Sequence, residues 1–114
     1  MKKIFYSKAS YGKKEIAAVQ KVLKNPLFLM DGPRVKEFET KVAKIFGKKY
    51  GLFVNSGSSA NLLALQSLNL KKKSEVITPL LTFSTTVAPI YQLGLVPTFI
   101  DVDLNKYVVK TEEI

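Results

Sequence analysis

Cysteine, histidine and tryptophan are absent from this sequence of 114 residues, and arginine occurs once, at Arg34. Without cysteine there is no disulfide framework, thiolate metal site or iron–sulfur cluster. Without histidine, Ser-His-Asp and Cys-His machinery and the usual zinc ligand sets are excluded. No apolar run approaches the ~20 residues of a membrane span. The opening MKKIFYSKASYGKK carries lysines but no apolar core of a secretory signal, so a cytoplasmic protein without a membrane contact is expected. Basic residues outnumber acidic ones 18 to 9, for a net charge of +9. The lysines cluster in twos and threes (Lys2-Lys3, Lys13-Lys14, Lys48-Lys49, Lys71-Lys72-Lys73), as on solvated turns and helix ends. Nucleic-acid readers lean on arginine, whose planar fork fits phosphates and guanine edges, so a nucleic-acid partner is not expected. The charge does favour small anionic ligands.

The length suits one modest domain, and 46% hydrophobic with 24% charged residues is ordinary for a globular chain. Ile16, Val19 and Leu23 fall at helical spacing after Gly12, and Pro26 ends that helix near Lys24. The stretch Pro26–Pro33 reads as a loop whose apolar residues dock on something. Asp31-Gly32-Pro33 opens a second helix, with Val35, Phe38, Val42 and Ile45 on one face, Phe46 widening it and Gly47 stopping it. Tyr50–Val54 reads as a strand, and Ala60–Leu68 as a helix so apolar all round that it should be buried. Glu75–Pro79 is a second strand, followed by a loop, a short helix to about Leu93, a Gly94 cap and a third strand at Val96–Val102. Thr111-Glu112-Glu113 resembles another helix start. Strands alternating with helices predict an α/β protein with a mostly parallel sheet. Three strands are few for such a sheet, and its fold looks incomplete.

Two loops carry chemical signals. In Asn55-Ser56-Gly57-Ser58-Ser59 a strand hands over to a helix, where amides lack internal acceptors and the dipole is positive. Gly57 would permit close approach of a phosphate, and Ser58 and Ser59 would add hydroxyl donors. The plainer alternative is that Ser56 or Ser58 only caps the helix. Neither a Walker loop nor a G-x-G-x-x-G pattern is present. The second loop is Thr82-Phe83-Ser84-Thr85-Thr86, which in a parallel sheet opens on the same crevice as the serines. Phe83 there can stack on a flat ligand ring or pack in the core. Asp101 and Asp103, two apart at a strand end, read as turn or helix caps and not as an acid–base pair.

The runs GPRVKEFETKVAKIFGKKYGLFVNSGSSANLLAL and EVITPLLTFSTTVAPIYQLGLVPTFIDVD resemble the N-terminal part of the DegT/StrS-type sugar aminotransferases, over residues 10–110. The shared features are GP before a helix containing FE, then SG[ST]-x-A, TF-x-T-T and G-x-x-P-x-F-x-D-V-D. The resemblance implies the three-layer large domain of the aspartate aminotransferase fold (fold type I), incomplete here. Residues 1–30 would be an N-terminal arm and helix, and 31–114 the first part of the domain that binds pyridoxal 5′-phosphate. It implies that Gly57, Ser58 and Ser59 hold the phosphate of pyridoxal 5′-phosphate or pyridoxamine 5′-phosphate, and that Phe83 stacks on its ring. The Gly32-Pro33 loop matches a region near the subunit interface and sugar site.

Family members are several times longer. The aspartate that pairs with the pyridine nitrogen and the Schiff-base lysine, or the histidine that replaces it in a dehydratase branch, would lie downstream. No catalytic residue is therefore assigned within this chain, which is expected to be an N-terminal fragment or a truncated reading frame. The implied enzyme acts on a nucleotide-linked 4-keto-6-deoxy sugar in cell-surface polysaccharide, lipopolysaccharide or deoxysugar biosynthesis. It would be an aminotransferase taking its amino group from a donor such as glutamate, or a 3-dehydratase, which the wording NSGSSANLLAL with FSTTVAPI resembles more. A homodimer is expected for the full-length protein. The rival readings are a basic phosphate- or nucleic-acid-binding module and an inactive remnant.

Overall fold

A computed structural model describes residues 3–30 and 32–114. Asp31 at the expected start of the second helix, and Lys2 of the first lysine pair, lie outside them. The chain divides into two compact units, one of residues up to Phe53 and one of Val54–Ile114.

In the first unit, α1 (Lys13–Leu23) starts where the sequence places it. The Glu15 carboxylate accepts the Gly12 N–H at 2.7 Å, satisfying one orphan donor of the helix start. This bond holds the Glu15 carboxyl below the usual glutamate range. Asn25 caps a 3-10 turn at Pro26–Phe28, its side chain accepting the Leu27 N–H at 3.2 Å. Leu27, Leu29 and Met30 are exposed, so the expected docking of this loop is not made among the described residues. Helix α2 (Pro33–Ile45) begins with proline at its first position and ends at Gly47, whose φ of +61° only glycine adopts freely. The Lys48 N–H reaches back to the Ala43 carbonyl at 2.8 Å and closes the helix end. On the exposed face of α2, Arg34 and Lys41 flank Glu37 at 2.8 and 2.7 Å. The bonds from Lys41 and then Arg34 lower the Glu37 pKa.

The expected strand Tyr50–Val54 does not form. A strand needs a ladder partner, and among the described residues this segment has none. Part of it lies against α2 instead. The Phe53 N–H donates to the Glu39 carboxylate at 2.9 Å, and the Phe53 ring meets Phe38 edge-on at 5.3 Å. Gly51 makes the approach possible, because a Cβ there would stand 2.7 Å from the Glu39 carbonyl oxygen. The Phe38-Glu39 pair of the sequence motif thus has a local role: one side chain packs the segment and the other satisfies its backbone.

The second unit holds α3 (Gly57–Ser67), β1 (Glu75–Pro79), α4 (Ser84–Gln92) and β2 (Val96–Ile100). The sheet has two strands, not three: β1 and β2 pair in parallel from Glu75 opposite Val96 to Pro79 opposite Ile100. Strand β2 ends two residues earlier than expected, and Val102 instead makes a lone antiparallel bridge to Val109. Asp103 accepts the Asn105 N–H at 3.2 Å and organises the turn between them. Thr111–Glu113 is a 3-10 turn. Ile90 and Leu95 are buried where α4 turns into β2, and Gly94 makes that turn at φ +69°.

Helix α3 starts at Gly57, three residues before the expected Ala60, and has no buried residue. Its all-round apolar sequence predicts burial, yet Leu63 is 42% exposed. One side of α3 packs on α4, and the rest of its surface is left exposed by the described residues. No described helix is long and apolar enough to cross a membrane.

Candidate functional site

The first turn of α3 is built by Ser56. Its backbone is extended (φ −160°, ψ 159°) and its hydroxyl oxygen accepts the Ser59 N–H at 3.1 Å, so Ser56, and not Ser58, is the cap. The same hydroxyl donates to the Ser59 Oγ at 3.1 Å, which leaves the Ser59 proton free to point elsewhere. The Ala60 N–H bonds the Ser56 carbonyl. Gly57 and Ser58, the first two residues of the helix, keep amides with no intrahelical acceptor. The α3 start therefore presents two bare N–H groups and two hydroxyls at the positive end of an 11-residue helix.

Gly57 has no positive φ, and a Cβ built on it would meet nothing within 4 Å. Neither the backbone nor the neighbouring side chains require glycine there. A bare approach to the Gly57 amide is what the residue leaves open.

Phe83 directly precedes α4, with φ −73° and ψ 143°, and its ring is 74% exposed. Among the described residues no core packs around it. The Thr86 N–H bonds the Phe83 carbonyl at 2.9 Å, and the Thr82 hydroxyl donates to the Thr86 hydroxyl at 3.1 Å. These bonds fix the backbone on both sides of the ring.

The two helix starts are tied together. Asn61, one turn into α3, donates from its side-chain amide to the carbonyl of Thr85, the second residue of α4, at 3.3 Å. Helix α4 is the next element after β1, across the four-residue loop 80–83, and Asn61 ties α3 to its start, so both starts stand toward the carboxyl end of that strand, where α/β folds place their ligands. Asn61 is not among the candidate site residues of the sequence analysis. An amide in an otherwise apolar stretch was the available signal.

A cavity of about 350 Å³ lies behind these starts, between α3, β1 and α4. Leu65, Val76 and Ile90 are among its walls, and Gly57, Ser58, Ser59 and Phe83 are not. It also borders Thr78, 3% exposed, whose hydroxyl has no partner. Among the described residues no group of acidic, histidine or cysteine side chains could hold a metal ion.

A phosphate with a flat ring fits this donor set. The amides and hydroxyls at the α3 start suit an anion, Asn55–Asn61 and Thr82–Thr86 contain no acidic side chain to repel it, and Phe83 offers an apolar face nearby in sequence to α4.

Comparison with known proteins agrees with this chemistry. The DegT/DnrJ/EryC1/StrS aminotransferase family matches residues 9–114. The chain is 42% identical over 106 residues to a GDP-4-keto-6-deoxy-D-mannose 3-dehydratase of Escherichia coli O55:H7, covering 88% of this chain and 27% of that protein. It is 43% identical over 100 residues to a dTDP-4-dehydro-2,6-dideoxy-D-glucose 3-dehydratase of Saccharopolyspora spinosa, covering 81% and 21%. The structure of the E. coli GDP-4-keto-6-deoxy-D-mannose 3-dehydratase with bound hydrated PLP superposes with a TM-score of 0.85 at 40% identity, over 93% of this chain and 28% of that one. The chain thus spans about a quarter of the length of the curated relatives it matches.

Proposed function

Because the chain belongs to the DegT/DnrJ/EryC1/StrS aminotransferase family, we propose that it is the N-terminal part of an enzyme using pyridoxal 5′-phosphate, or its pyridoxamine form, on a nucleotide-linked 4-keto-6-deoxy sugar. Residues 31–114 form the first part of its cofactor-binding domain. The reaction favoured is removal of the 3-hydroxyl, a reading supported by the 3-dehydratase names of its relatives. Transamination of the keto group is the alternative. Glutamate as amino donor and a homodimer complete the reading.

Each residue has a holding task. The Gly57 and Ser58 amides donate to the cofactor phosphate, and the Ser58 and Ser59 hydroxyls add two donors. Ser56 keeps Ser59 in place. Phe83 lies against a face of the ring and shields it from water. When bound, the cofactor supplies an electron sink for the bond-breaking step. None of these residues moves a proton, and the lysine or histidine that does so is expected outside these 114 residues.

The observation that carries the proposal is the pairing of a bare-amide helix start with an exposed aromatic at an adjoining helix start. Its test is a titration of the complete gene product with pyridoxal 5′-phosphate and with pyridoxal. The phosphate form should bind at least about a hundredfold more tightly, the scale that two of these four charge-assisted hydrogen bonds already supply. Ser58→Ala should shrink that ratio, and Phe83→Ala should weaken both ligands alike. Equal binding of the two forms would refute the phosphate site. Supplying GDP-4-keto-6-deoxymannose with glutamate then separates the reactions: a 3-deoxy product indicates dehydration, an amino sugar transamination.

A further inference from the structure

In an α-helix the carbonyl of residue i accepts from the N–H of residue i+4. For Thr85 in α4 that residue is Pro89, which has no N–H. The Thr85 carbonyl therefore loses its place in the helix ladder, and the Asn61 side chain supplies the missing donor from α3 at 3.3 Å. Asparagine is a poor helix former beside the alanine and leucines around it, so its use there is not explained by α3 itself.

We propose that Asn61 is a positioning residue: with Pro89 it locks the α3 start to the α4 start, and so sets the spacing between the phosphate-holding turn Gly57–Ser59 and Phe83. This rests on the cofactor reading given above. The proline opens a vacancy in one helix that a donor from the other fills, and the resulting bond lies within a turn of the serines and two residues from Phe83. The phosphate turn is built locally by Ser56 and does not depend on the lock. The lock governs where the ring shelf stands relative to that turn.

The test uses the complete gene product with Asn61→Ala, Pro89→Ala and the double variant. Three readouts apply: affinity for pyridoxal 5′-phosphate, competition by inorganic phosphate, and the induced circular dichroism of the bound cofactor, which reports ring setting. Asn61→Ala should weaken cofactor binding about fivefold to tenfold, the scale of one net hydrogen bond. It should also change the dichroic band and leave inorganic phosphate competition as in the wild type. Pro89→Ala restores an N–H for Thr85, so the double variant should regain thermal stability lost in Asn61→Ala, which keeps the comparison open should the single variant fold poorly. The double variant should nevertheless retain the altered band, because the bond between the helices is still missing.

Unchanged affinity and band in Asn61→Ala overturn the proposal. Recovery of both in the double variant also overturns it, because Asn61 would then serve the orphan carbonyl alone. If the wild type shows no preference for pyridoxal 5′-phosphate over pyridoxal, the cofactor reading fails and the positioning role fails with it. A failure confined to the variants leaves the cofactor reading standing.

Discussion

Replacing Gly51 with alanine puts a methyl carbon 2.7 Å from the backbone carbonyl oxygen of Glu39 and 3.5 Å from the Ala43 Cβ. The obstruction is main chain in the middle of α2, which cannot swing aside as a side-chain end can. Accommodating an extra methyl in such a contact costs about 1–3 kcal/mol. The alternative is for the segment to lift off α2. That forfeits the Phe53 N–H bond to Glu39 and the edge-on ring contact, the latter being about 0.5–1.5 kcal/mol beyond its area. These are two routes to one cost, not a sum, so about 2 kcal/mol is expected for the first unit. In native-state hydrogen exchange the Phe53 amide should exchange roughly thirtyfold faster. The control is the same substitution at Gly57, where the new methyl meets nothing in the protein. Gly57→Ala should leave stability unchanged or raise it by about 0.4–1 kcal/mol, while weakening pyridoxal 5′-phosphate about tenfold. Wild-type exchange at Phe53 in Gly51→Ala would refute the steric reasoning. A destabilised Gly57→Ala with intact cofactor affinity would show that the protein itself, and not a ligand, needs that glycine.

Ser56→Ala removes the cap of α3 and should destabilise the second unit by about 1 kcal/mol, whereas Ser56→Asp should keep most of it; urea melts compare them. Thr78→Val swaps a buried, unpartnered hydroxyl for a methyl of similar shape and should stabilise the 114-residue chain by about 1 kcal/mol, seen as a later urea midpoint with the same slope. A clear loss would mean that the hydroxyl has a partner. Glu15 has its pKa lowered by the Gly12 N–H, so its contribution is complete above the ordinary glutamate range and is lost as pH falls through the lowered value. Helicity should therefore fall on acidification in a step that Glu15→Gln abolishes.

What the sequence disclosed was mostly what neighbouring residues decide between themselves. The limits of α1 and α2 follow from Gly12 with Glu15, from Pro33, and from Gly47, each acting within five residues. The run Tyr50–Val54 has the composition of a strand, but composition does not supply the second strand that a ladder needs, so the segment leans on α2. The apolar girth of α3 likewise records a covering that the described residues do not provide. In the candidate site, the helix start at Gly57–Ser59 was legible because a glycine with small hydroxyl residues after a strand-like run is a local feature. Whether Ser56 or Ser58 makes the cap was not, since both are serines and both positions are permitted until the backbone of Ser56 is seen to be extended.

The link between α3 and α4 sits between these extremes. Pro89 within a helical pattern already states that the carbonyl four residues earlier, at Thr85, lacks its usual donor. That half of the contact can be read from sequence by counting. The other half cannot, because the residue that answers lies 24 positions back in the chain and becomes a neighbour only when α3 and α4 pack side by side. Water could have answered equally well on a half-exposed helix face. That a side chain does so, within a turn of the serines and two residues from Phe83, is why the orphan carbonyl bears on the spacing of the two helix starts and not on helix stability alone.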